Sequence, residues 1–114
     1  NSKGEDKVSK FLSNCNIIFE IQKRFDNCKD KKTLPFDFYL PDYNCCIEYD
    51  GEQHFRPIQF KGMTKKYAKD KFELIQKHDK IKNVFCKKNQ MKLIRIPYWN
   101  FNDVDKILNK ILKE

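Results

Sequence analysis

The chain has no long apolar run, no C-x-x-C pair, no internal repeat and no low-complexity tract. Each absence excludes something. Without about 18 consecutive apolar residues, no membrane-spanning helix and no membrane partner are expected. The five cysteines, Cys15, Cys28, Cys45, Cys46 and Cys86, form an odd set, which fits neither a complete disulfide framework nor a zinc-ligand spacing. They read as reduced thiols, and so as belonging to an intracellular, reducing compartment. No signal peptide opens the chain, and it begins on Asn1 rather than Met, which fits a piece of a longer protein or a trimmed one.

What is present is a globule's worth of apolar surface under a strongly charged exterior. With 114 residues, 39% hydrophobic and 14% aromatic, the chain is expected to form one domain over residues 1–114, with room for one small site. The net charge of +8 is unevenly placed: residues 1–60 hold 9 basic and 10 acidic side chains, and residues 61–114 hold 15 and 6. A basic half attracts phosphates, and an acidic half can gather carboxylates around a divalent cation. Lysine-rich surfaces also arise from compositional bias alone.

Patterning divides the chain into seven elements. Ser2-Lys3-Gly4-Glu5 has capping-box spacing ahead of Val8, Phe11 and Leu12, which predicts a helix over 3–14. IIFEIQKRF, 17–25, reads as a strand, with a loop over 26–33. LPFDFYLP, 34–41, and CCIEYDG, 45–51, read as two strands joined by a tight turn at Asp42-Tyr43-Asn44. Alternation puts Phe36, Phe38 and Leu40 on one face and Asp37 and Tyr39 on the other. It likewise opposes Ile47 and Tyr49 to Glu48 and Asp50. A loop over 55–64 leads to a long helix, 65–88, on which Ala68, Phe72, Ile75, Asp79, Lys82 and Cys86 share a face. A strand, 91–97, and an amphipathic helix carrying Val104, Ile107, Leu108, Ile111 and Leu112 close the chain. The expected class is α/β, a central mixed sheet flanked by helices.

Two of these strands can aim carboxylates to one side, and that arrangement suits phosphodiester hydrolysis. The reaction needs an activated water and a neutralised leaving oxygen, both of which carboxylate-held Mg²⁺ provides, with Mn²⁺ as a substitute. Asp37, ten intervening residues and then Glu48 inside an apolar strand resembles the paired acids of the PD-(D/E)XK nucleases. Asp50 stands where that motif usually has its lysine. Gly51-Glu52-Gln53-His54 follows, which is closer to the branch resembling very short patch repair endonucleases and the EDxHD homing endonucleases. That resemblance implies a restriction-endonuclease-like core over nearly the whole chain. It also implies a Glu on the first helix, an Asp, a variable position, a His and a further Asp, which fall on Glu5, Asp37, Glu48, His54 and Asp79.

The implied roles follow from chemistry. Asp37 and Glu48 are the expected metal ligands. His54 is the expected proton-transfer group, because an imidazole carries a proton either way near neutrality, and Asp79 would orient it. Arg56, Lys61, Lys65, Lys66 and Lys82 are expected to meet the phosphates of double-stranded DNA. Phe55 and Phe60 either wedge between base steps or pack into the core.

Plainer readings stand beside these. Glu5 can simply complete a capping box, Asp50 a turn, His54 an ordinary surface position and Asp79 a solvated helix face. His78, next to Asp79, rivals His54. The alternatives to a homing-type endonuclease are a mismatch-directed nicking repair enzyme, a ribonuclease or resolvase, and a nucleic-acid-binding module without catalysis. Double-strand cutting would take a dimer or two sequential nicks by a monomer.

Overall fold

A computed structural model describes residues 2–113. Helix α1 (Lys3–Asn14) is followed by strands β1 (Glu20–Lys29), β2 (Thr33–Leu40) and β3 (Cys45–Asp50). Helix α2 (Lys65–Lys88), strand β4 (Lys92–Pro97) and helix α3 (Val104–Leu112) complete the chain, with short 3-10 turns at Pro41–Tyr43, Glu52–His54 and Tyr98–Asp103. The four strands form one sheet in chain order; β1, β2 and β3 run antiparallel, and β3 and β4 run parallel. A parallel pair needs a long crossover, and α2 supplies it. No helix among the described residues is long and apolar enough to cross a membrane.

Helices cover both faces of the sheet because both faces are apolar. On one, Val8 and Leu12 of α1 and Val104, Leu108 and Leu112 of α3 bury against Phe38, Leu40, Cys45, Ile47, Ile94 and Ile96. On the other, Ile81, Phe85 and Cys86 of α2 close over Cys28, Leu34, Phe36 and Cys46. The five cysteines are unbridged.

Local chemistry sets the boundaries of the helices. The Ser2 hydroxyl accepts from the Glu5 N–H at 3.1 Å, and the Thr64 hydroxyl accepts from the Tyr67 N–H at 3.0 Å, each satisfying an orphan donor of a first turn. Asn44 takes the left-handed conformation (φ 47°, ψ 53°) that the turn before β3 requires and that asparagine tolerates. Gly4 lies against the Tyr49 ring, where a Cβ would stand 2.1 Å from Cζ. Gly4→Ala is therefore expected to cost about 1–3 kcal/mol through overpacking, less any gain in helix propensity. A urea midpoint equal to that of the parent would show that the ring yields freely.

Two expectations are corrected. The strand expected over 17–25 runs instead from Glu20 to Lys29, its far end held by the pairing of Lys29 with Thr33 of β2. The register slips between Arg24 and Lys29, and Cys28 is buried under α2. The second correction concerns Phe36, which does not share a face with Phe38 and Leu40. It packs on the α2 side, while they pack on the α1–α3 side. The strand changes face at Asp37, opposite Gln22, whose φ of 51° breaks the pleat of β1 between the Ile21–Phe38 and Lys23–Phe36 pairs.

Candidate active site

The face change at Asp37 opens the sheet. The β2–β3 ladder pairs Leu40 with Cys45, Tyr39 with Cys46 and Phe38 with Ile47. Beyond it, side chains take over from backbone: the Asp37 N–H donates to Glu48 Oε2 at 2.7 Å, and the Tyr49 N–H donates to Asp37 Oδ2 at 2.8 Å. The two carboxylates are thus wedged between diverging strands and fixed by backbone donors. Glu48 is 2% exposed, and its other oxygen, Oε1, accepts from Lys82 Nζ of α2 at 2.5 Å. Burial, and after it the Glu48 charge, outweighs the Tyr49 N–H and pushes the Asp37 carboxyl up to about 7. Glu5 of α1 adds to that push. It lines, with Asp6, Gln22 and Asp37, a cavity of about 90 Å³ at the opening. A larger groove of about 690 Å³ lies along α2 between Lys77 and Asn89, and none of the candidate residues lines it.

A second group forms where β3 ends. Gly51 releases the chain into the 3-10 turn Glu52–His54, which brings His54 Nδ1 to 2.8 Å from Asp79 Oδ2 of α2 and 3.6 Å from Asp50 Oδ1. An Nδ1–H held by a carboxylate leaves Nε2 as the proton acceptor. Arg95 of β4 anchors the acids: Nη1 donates to both Asp50 oxygens at 3.0 and 3.1 Å, and Nη2 donates to the Asp79 carbonyl at 3.3 Å. Its Nε donates to Asn83 Oδ1 at 2.9 Å. Burial pulls the His54 pKa down, but the Asp79 hydrogen bond and the charges of Asp50, Asp79 and Glu48 together hold it above its ordinary value. The two groups are neighbours through α2, whose Lys82 reaches Glu48 and whose Asp79, one turn earlier, reaches His54.

Glu5, Asp37 and Glu48 therefore gather at the sheet opening, and His54 and Asp79 gather beside it. The basic residues fare differently. Lys82, expected to meet a phosphate as a free cation, is 12% exposed and paired with Glu48, because an apolar stripe on α2 carries it under the helix, where its charge needs a partner. Arg56 is ion-paired with Glu52, and Lys66 with Asp70 at 2.9 Å. Lys61 and Lys65 are exposed. His78 bonds Asp30 Oδ2 at 3.0 Å beside Lys77, separate from the His54 cluster.

No family model matches this chain, and no solved structure matches it. It is 28% identical over 98 residues to an uncharacterized protein, 094L, of Frog virus 3 (isolate Goorha). That alignment covers 79% of this chain, which spans 61% of the viral protein's length.

Arg95 and Asn83 escaped the reading of the sequence. Asp50, placed by alternation on the Glu48 face with a turn as its plainer reading, is buried and paired with Arg95. Arg95 carried a visible signal: a guanidinium between Ile94 and Ile96, both buried, requires a counter-charge.

Among the described residues, no three His, Cys, Asp or Glu side chains form a metal cage. Asp37 lines the small cavity with Glu5, and Glu48 stands behind it with its oxygens on the Asp37 N–H and Lys82; Mg²⁺ in general keeps several waters and needs only one or two protein carboxylates.

Proposed function

We propose that the chain is the catalytic domain of a Mg²⁺-dependent DNA endonuclease with a PD-(D/E)XK-type core. One observation carries this reading: Asp37 and Glu48 sit side by side in a sheet opening, Glu48 accepting from the Asp37 N–H and Asp37 from the N–H of Tyr49, the residue after Glu48. Lys82 answers the Glu48 charge, which leaves the half-buried Asp37 carboxyl beside it as the one that gains from a bound cation. A structural role would be met more cheaply by ordinary ladder bonds.

Asp37 and Glu48 would hold the cation, which supplies Lewis acidity and an activated water when bound. Lys82 takes the place left by the missing strand lysine. It reaches Glu48 from α2 and neutralises the acid from the side opposite the Asp37 N–H. His54 Nε2 exchanges a proton with water or with the leaving oxygen, and Asp79 holds the imidazole in the tautomer that permits it. Arg95 keeps Asp50 and Asp79 in position, so the imidazole faces a fixed pair of acids. Glu5 adds negative charge at the cavity mouth, where it draws in a cation.

Supercoiled plasmid with Mg²⁺ or Mn²⁺, with and without EDTA, tests this directly. Nicking is expected only with the metal. It should be lost in Asp37→Ala and lowered about 10²- to 10⁴-fold in His54→Ala. In the parent the rate should fall with acidification through a pKa above the usual imidazole value, as His54 becomes protonated before it can accept. Binding without cleavage, on plasmids and mismatched duplexes alike, would overturn the proposal.

A further inference from the structure

Three aromatic rings stand at the surface next to His54 with no core above them. The Phe55 and Trp99 ring centroids are 4.7 Å apart, Tyr98 and Trp99 5.3 Å, and Phe55 and Tyr98 6.0 Å. Phe55 is 44% exposed, Tyr98 38% and Trp99 60%. Topology brings them together: β3 and β4 are parallel and in register, with Asp50 opposite Pro97. The segments that follow, Gly51–Phe55 and Tyr98–Trp99, therefore leave the same end of the sheet side by side. Phe55 is the residue immediately after His54, so the cluster borders the proton-transfer group.

Lysines lie on the neighbouring segment. The Tyr49 hydroxyl donates to the Tyr98 carbonyl at 3.4 Å, and Tyr49 in turn backs onto Gly4, which ties the cluster to the start of α1. Lys7 lies 4.6 Å over the ring of Phe101, two residues beyond Trp99. The groove that Phe101 lines carries Lys3, Lys7 and Lys10 against Asp6 and Asp105. Exposed rings with lysines at the neighbouring Phe101, on a chain of net charge +8, match the paired requirements of an unpaired nucleotide: a π-face for the base and a cation for the phosphate. A base inside a matched duplex offers neither face of its ring.

We propose that Phe55, Tyr98 and Trp99 form a stacking platform for an unpaired nucleobase beside the scissile phosphate. The substrate is then a nucleic acid with a single-stranded or unstacked nucleotide at the cut. This rests on the nuclease reading above and names the substrate class for that site.

Trp99 is the only tryptophan, so its fluorescence reports on the platform directly. In EDTA, where no cleavage occurs, an oligothymidylate of about 12 nucleotides, within the usual site size of such surfaces, is expected to quench it. A matched hairpin duplex of equal charge is not. By anisotropy of a labelled strand, Trp99→Ala and Phe55→Ala should each weaken single-strand binding about 5- to 140-fold and leave duplex binding unchanged. Both positions are exposed, and an unaltered thermal transition will show that the variants fold. Tyr98→Phe should bind as the parent does, since it keeps the ring. Absence of quenching, equal quenching by duplex, or equal weakening on both substrates would overturn the platform. Quenching without cleavage would sink the nuclease reading alone, and cleavage of duplex without quenching would sink the platform alone.

Discussion

Asp37→Asn is expected to abolish metal-dependent cleavage, by about 10³-fold or more, and at the same time to make the metal-free protein more stable at pH 8. The folded carboxyl titrates near 7 against an ordinary value of 3.8, mainly through burial and then through the Glu48 charge. With the folded pKa raised, the folded state holds its proton more tightly than the unfolded chain. The associated stability is complete below about pH 4 and is lost as pH rises towards 7. Over that window the loss corresponds to about 4 kcal/mol. An asparagine is neutral throughout and can still accept the Tyr49 N–H. Urea unfolding in EDTA should therefore show parent and variant nearly equal near pH 3.5, and the variant ahead by about 2 kcal/mol at pH 5 and by about 4 kcal/mol at pH 8. Mg²⁺ at about 100 times its Kd returns about 2.7 kcal/mol to the parent alone. A variant less stable than the parent at pH 8, or a gap independent of pH, would contradict this account of the carboxylate pair.

Lys82→Met is expected to be the most destabilising single change in the site, by about 3–5 kcal/mol, because it strands Glu48 as an uncompensated charge beneath α2. Adding Glu48→Gln should recover most of that loss: the amide oxygen can still accept from the Asp37 N–H, and no buried charge remains. The double variant should nevertheless be as inactive as Asp37→Asn. A cost below about 1 kcal/mol for Lys82→Met, the range of solvated surface pairs, would mean that Lys82 and Glu48 do not form a buried pair. Chemical denaturation of the four proteins in one cycle supplies the coupling energy directly.

The two predictions differ in how visible their premises were. The Asp37–Glu48 spacing could be read from the chain, because period-two alternation puts both acids in strand interiors and an acid among phenylalanines needs a partner. The shared face of Asp79 and Lys82 was equally plain, since four-and-three spacing is a local property of a helix. The reversal at Asp37 was not. Strict alternation keeps Phe36 with Phe38, and only the left-handed Gln22 on the neighbouring strand breaks it. That residue's influence travels through strand pairing, not along the sequence.

The same division runs through the rest of the molecule. By itself the sequence determined the order of helices and strands, the capped starts of α1 and α2, the apolar faces that make a sheet with helices on both sides, and the identity of the acids that converge. Periodicity and end-capping are effects of neighbours a few residues apart. Tertiary structure alone decided that β1 extends to Lys29, that Lys82 answers Glu48, that Asp50 and Arg95 pair behind His54, and that Phe55 meets Tyr98 and Trp99. Each of these depends on which strands lie adjacent and in what register. Contacts between residues tens of positions apart are set by that pairing, and local propensity carries no record of it.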